Sequence, residues 1–248
     1  MNSNPLREQI DGMCSEMRHC ARFLRKRMAE RLRADKMLRL GLIWLAVFAL
    51  SLPLDVFVAE SVSPYAREVK RSDLAREIKH GGHFGFTLFV AVFVCLLHRS
   101  SWRGAAALCL AGMISGLIYS VMKMAVGRKR PVVEIVPFSF DPFPGGFPEF
   151  FFVGNMSFPS GHAALGFASA VTLSYLMPRA AWAFYTLAVL LAAERVAENA
   201  HYLSDVVASA AVGYLSARLA IHIISRFGKI ERALSGLETE NSSVVRPA

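Results

Sequence analysis

The sequence predicts an all-α membrane protein: a six-span transmembrane helical bundle preceded by a short N-terminal amphipathic cytoplasmic helix. Three observations carry that expectation. Of the 248 residues 54% are hydrophobic and the mean hydropathy is +0.39, more apolar than a typical soluble domain. Apolar windows recur at the length that a bilayer core of about 30 Å requires, roughly 20 residues of helix. Basic residues gather at the ends of those windows instead of being spread along the chain.

The spans are expected at 38–59, 83–97, 104–124, 161–177, 181–196 and 203–224, the second and fifth being short. They make 38–226 the membrane domain, between a basic cytoplasmic segment, 1–37, and a flexible cytoplasmic tail, 227–248. The net charge of +9 could suggest a nucleic-acid partner, but Arg18, Arg22, Arg25, Lys26, Arg27, Arg31, Arg33, Lys36 and Arg39 crowd just before the first span. That placement is a positive-inside signal, so no nucleic-acid partner is expected. The segment lacks a signal peptide's short basic region and small-residue cleavage site and is read as mature protein. Leu24, Met28, Leu32 and Met37 stand at helical spacings within it, as in a helix lying on anionic lipid; a solvated helix that only orients the protein fits equally well. Four cysteines, at 14, 20, 95 and 109, suggest neither a disulfide framework nor a metal knuckle.

With the N-terminus inside, the loops 98–103 (Arg99, Arg103) and 178–180 (Arg179) return to the cytoplasm, as does the tail after Arg226. The segments 60–82, 125–160 and 196–202 face outward, which for a bacterial inner membrane is the periplasm. Arg67, Lys70, Arg71, Arg76 and Lys79 in the first of these run against the rule. The long outer connection holds "PFSFDPFPGGFPEFFFVGNMSF", whose Pro and Gly exclude a continuous helix. Its phenylalanines suit either the bilayer interface and an acyl or prenyl groove, or a loop that buries its own aromatics over the bundle; the sequence leaves both open. Asp55, after Pro53, reads as a helix-end residue, with substrate contact as the alternative.

Three polar clusters fall at the outer edge of the membrane. The third span ends in "KMAVGRKRP", placing Lys123, Arg128, Lys129 and Arg130 where the positive-inside rule disfavours them. An anionic ligand gives a reason for them, since Arg offers paired donors to phosphate and Lys a point charge. The fourth span opens with "PSGH": Ser160 suits a cap, Gly161 a close approach to the backbone, and His162 the first turn at the positive end of a helix. The turn between the fifth and sixth spans reads "ERVAENAHYLSD". His201 and Asp205, four residues apart, share a helix face, and the carboxylate can accept a hydrogen bond from the imidazole, fixing its tautomer. Asn199 marks a break that lets Arg195 meet His201. Each cluster alone also has a structural reading, as snorkelling anchors, a capped helix start or a buried His–Asp pair.

Taken in order, Lys123 to Arg130–Pro131, then Pro159 to His162, then Arg195 to His201 to Asp205, the clusters resemble the signature of the type 2 phosphatidic acid phosphatase superfamily. One departure stands out: Glu194 occupies the position where the family often has serine. It either pairs with Arg195 and weakens a grip on phosphate, or points away. The resemblance implies a membrane-embedded, metal-independent lipid phosphatase without a cofactor, working through a phosphohistidine. His201 would be the nucleophile, Asp205 its orienting partner and His162 the acid and base. Lys123, Arg130, Ser160, Gly161 and Arg195 would bind phosphate. The expected partners are membrane lipids and a lipid phosphate: undecaprenyl diphosphate, phosphatidylglycerophosphate, phosphatidic acid or the phosphate of lipid A. A soluble phosphate ester, or a non-enzymatic anion transporter, is the alternative.

Overall fold

The computed structural model describes residues 36–97, 102–143 and 156–244. The chain divides into two units, 1–47 and 48–248. The amphipathic helix expected before the first span, and much of the Phe-rich connection, lie outside the described residues. Within the first unit, residues 36–47 belong to α1 (Lys36–Ser51), and its apolar side chains are exposed, Ile43 at 61%.

In the second unit α2 (Leu54–Val62) begins directly after Pro53, which cannot donate a backbone hydrogen bond and stands at the helix start. A 3-10 turn, Ser63–Tyr65, leads to α3 (Ala66–Arg71) and α4 (Asp73–His80). Ser72 caps α4, its hydroxyl accepting from Ala75 N at 3.5 Å. The Gly81–Gly82 turn separates α4 from α5 (Phe84–Leu97). Then follow α6 (Trp102–Val126), α7 (Gly161–Leu176), a second 3-10 turn at Pro178–Ala180, α8 (Ala181–Ala197) and α9 (Leu203–Val244). No strand forms among the described residues; two isolated bridges, Arg128 to Phe140 and Lys129 to Met156, pin the connection after α6.

Three stretches are alone long and apolar enough to cross a bilayer: Trp102–Val126, Pro178–Ala197 and Leu203–Phe227. Two bent pairs qualify jointly, Leu38–Ser51 with Leu54–Arg71 and Asp73–His80 with Phe84–Leu96, the second bent by 64°, giving three to five candidate spans. The window expected at 83–97 is thus one arm of a broken element, and α9 continues to Val244, past the point where a tail was expected.

The packing is that of a membrane bundle. Large apolar residues point outward, as Leu96 at 78% and Trp182 at 74% exposed, while small residues fill the interior. Lipid tails are as apolar as leucine, so helices gain little by hiding leucine and more by close backbone approach. Ala111 of α6, Ala168 of α7 and Ala217 and Ala220 of α9 form one such cluster; Ala163, Ala192, Val196 and Val206 join α7, α8 and α9 in another. A Cβ on Gly213 would come within 2.5 Å of the Ala164 carbonyl, so α9 reaches α7 only through glycine there. The central α7 therefore fixes where the ends of α6, α8 and α9 stand.

Candidate active site

A cavity of about 520 Å³ opens where α6 ends and α7 begins. Lys123, Arg130, Gly161, His162 and His201 line it, together with Gly82, His83 and Tyr119. No acidic residue does so among the described residues. Lys123 is 6% exposed, with its Nζ 5.8 Å from the centre of the Tyr119 ring. Burial first, then the charge of Arg195, lowers the pKa of Arg130, against Asp205 and Glu198. Such a lining is suited to an anion.

His201 lies in the short connection ahead of α9, which Asn199 makes possible by ending α8 in a left-handed turn, φ 54°. Its Nδ1 donates to the Ser157 carbonyl at 2.7 Å. This corrects the expected partner: the Asp205 carboxylate stands 3.8 Å from Nδ1, beyond a hydrogen bond. The tautomer is fixed all the same, and Nε2 is left as the unprotonated nitrogen. Asp205 instead accepts from the Ser157 hydroxyl and from Tyr202 N at 2.8 Å, so it positions the segment that carries the carbonyl. Burial, reinforced by Lys123 and Arg130, pushes the His201 pKa down to about 4 despite Asp205. The ring is neutral at pH 7.

Arg128 is not a surface anchor. It is 2% exposed and donates from Nε to the Pro137 carbonyl at 2.8 Å, from one terminal nitrogen to Ser204 Oγ at 2.8 Å and Asp205 at 2.6 Å, and from the other to Asp55 at 2.7 Å. Its guanidinium also lies over the Tyr202 ring, 4.1 Å from the centroid. Asp55 stands in the first turn of α2, a helix-end residue as expected, but it is no surface group. Asp55 is wholly buried and takes the Ser204 N–H at 2.8 Å and its hydroxyl at 2.5 Å besides Arg128. It contacts the scaffold around Asp205 and does not line the cavity.

Two further expected ligands also stand outside the lining. Ser160 is wholly buried, and its hydroxyl caps α7 by accepting from Ala163 N at 3.4 Å. Arg195 is 3% exposed and bound by carboxylates: Nε to Glu194 at 2.7 Å, a terminal nitrogen to Glu194 at 2.9 Å, and the same nitrogen to Glu198. The question left open at Glu194 is thereby answered in favour of pairing.

His162 rests against Gly82, where a Cβ would come within 2.8 Å of its own Cβ. Its Nε2 is buried without a hydrogen-bond partner among the described residues, the condition of a group whose partner is a ligand or solvent. His83 meets it edge-on, ring centroids 4.7 Å apart. Sequence reasoning missed His83; the only signal was a histidine after the glycine pair "GGH", at the edge of an apolar run. Among the described residues no three His, Cys, Asp or Glu side chains converge as a metal site would.

Residues 104–229 match the family model described as the PAP2 superfamily. Two curated relatives named lipid A 1-phosphatase, from Rhizobium etli and Rhizobium johnstonii, are each 37% identical over 130 residues, 52% of this chain. The match covers 53% and 50% of those proteins, so the chain spans about half the length of the curated relatives it matches. A solved structure of a transmembrane PAP2-type phosphatidylglycerolphosphate phosphatase from Bacillus subtilis is similar in fold, with a TM-score of 0.52 at 20% identity, covering 77% of this chain and 95% of that one.

Proposed function

The chain belongs to the PAP2 superfamily, and from that premise we propose that it is a membrane-embedded phosphatase that removes phosphate from a lipid through a phosphohistidine on His201. One observation carries the reading: His201, His162, Lys123 and Arg130 converge on one cavity, with the His201 Nδ1–H engaged and its other nitrogen unprotonated.

Nε2 of His201 attacks phosphorus as the bond to the leaving oxygen breaks, and His162 gives that oxygen its proton. The phosphorylated ring becomes cationic, and the Ser157 carbonyl and the Asp205 carboxylate, 3.8 Å from Nδ1, stabilise it. Water then attacks phosphorus, His162 takes its proton, and the electron pair of the P–N bond returns to Nε2. His162 ends protonated, ready for the next substrate. Lys123, Arg130 and the N–H groups at the start of α7 hold the equatorial oxygens, where fixed donors act strongly on a loose transition state. Ser160 contributes by setting that helix start. The reaction needs no metal ion and no cofactor.

Of the four lipids, the phosphate of lipid A has the most support, through the name shared by both curated relatives. Counting the 16-residue α7 as a further, short span beside the three single helices and the two bent pairs supports the reading of six spans. The basic segment before the first span, with Arg103, Arg179 and Arg226, favours cytoplasmic termini and a site on the outer side of a bacterial inner membrane.

Phosphate release by the purified, detergent-solubilised protein across the four lipids and one soluble ester tests the proposal. Release from lipid A is expected to be fastest and unaffected by a chelator, with His201→Ala, correctly inserted, slower by about a thousandfold or more. Inactivity on every lipid, or near wild-type release by His201→Ala, would reject it.

A further inference from the structure

Glu194 stands where the resembled pattern often has serine, and it claims the arginine beside it. The two carboxylate oxygens take Arg195 Nε at 2.7 Å and a terminal nitrogen at 2.9 Å, and Glu198 bonds that terminal nitrogen too. Both glutamate side chains are 4% exposed and that of Arg195 3%. Glu198 in turn lies 3.4 Å from Lys79 Nζ on α4. Two anions and two cations thus close on one another beside a cavity lined by Lys123 and Arg130 but not by Arg195.

We propose that Glu194 is a positioning residue that sets how tightly the site holds phosphate, by keeping the charge of Arg195 from the phosphate oxygens. The inference rests on the cavity being the phosphatase site. A bidentate pair of opposite charges is among the stronger polar contacts. For Arg195 to turn to phosphate it must release Glu194, and a buried carboxylate left without its partner is strongly disfavoured. Serine makes no such demand. With Glu194 in place, the dianion is held by Lys123, Arg130 and the start of α7, and product phosphate leaves readily.

The experiment compares the full-length wild type with Glu194→Ser and Glu194→Gln in detergent, each checked for a single folded species by gel filtration and thermal melting. Inhibition of lipid phosphate hydrolysis by inorganic phosphate and by orthovanadate is measured, and direct binding of both anions by calorimetry. Glu194→Ser is expected to lower both inhibition constants and both dissociation constants about tenfold, the equivalent of one strengthened ionic contact. Its KM falls with them. Glu194→Gln, which keeps an acceptor oxygen without the charge, falls between. A purely structural role would instead lower kcat and leave the anion constants alone. Unchanged or weaker anion binding in the folded variants overturns the proposal. Tighter anion binding in variants of a protein that hydrolyses no lipid would uphold the role of Glu194 in the anion site and reject the phosphatase reading alone.

Discussion

His201 must stay neutral between two fixed cations if it is to attack phosphorus, and burial against Lys123 and Arg130 provides for that. An unperturbed histidine begins to protonate near pH 6.5; this one holds out to about 4. Acid-quenched trapping of the phosphoenzyme is therefore expected to show its formation persisting well below pH 6.5, and a loss centred on the ordinary histidine range would place the nucleophile elsewhere. The same shift fixes the sign of a stability effect. Above about pH 6.5 neither state binds the proton. Toward about pH 4 the unfolded chain takes it up and the folded protein does not, so stability falls across that window. His83 lines the same cavity and is the ring on which His162 leans. We expect His83→Ala to lower kcat by about tenfold or more with little change in KM, since small misplacements of a catalytic group are costly, and His83→Phe to recover most of it by keeping the ring edge. Failure of phenylalanine to rescue would show that the ring's nitrogens, and not its packing, are what matter. The four-residue spacing made His201 and Asp205 legible as neighbours in the sequence, although His201 stands ahead of α9 and not on it. The Ser157 carbonyl left no such mark, since any residue supplies a backbone oxygen.

At the level of elements, the site depends on one buried guanidinium. Arg128 follows α6 and ties α2, through Asp55, to the start of α9, through Ser204 and Asp205. Removing one member of such a network leaves charge uncompensated, so Asp55→Asn should destabilise the protein by about 3–5 kcal/mol. The midpoint of denaturant unfolding in detergent is the measurement; a change under about 0.5 kcal/mol would mean that Arg128 is satisfied without Asp55. In the sequence Arg128 is indistinguishable from its neighbours in "GRKRP", and its partner stands 73 residues away. Local pattern carries no record of such a pairing. Apolar windows, by contrast, record the elements themselves, since lipid demands an apolar surface over a set length. They blur where that demand relaxes, as at Gly81–Gly82, where α4, with five of its eight residues charged or histidine, belongs to the same bent element as α5.

For the whole molecule the sidedness of the membrane decides which substrates can arrive. Val133, in the connection after α6, is 65% exposed, and Arg179 is exposed in the turn between α7 and α8. Cysteines introduced singly at these two positions should react with a membrane-impermeant maleimide from opposite sides, Val133→Cys from the periplasmic side of intact spheroplasts and Arg179→Cys only after lysis. Labelling of both from one side would break the proposed topology, and the reverse pattern would invert it. Biosynthesis also runs in one direction, and the Arg128 network has an order built into it. Asp55 is made first, Arg128 follows 73 residues later, and Asp205 comes 77 residues after that. A nascent chain thus never needs to bury the guanidinium unaccompanied, because one counter-ion precedes it through the ribosome. The second arrives just after His201, in the first turn of α9. In the proposed mechanism the nucleophile is then made after Lys123, Arg130 and His162, so the anion-binding side of the cavity is in place before the group that would attack.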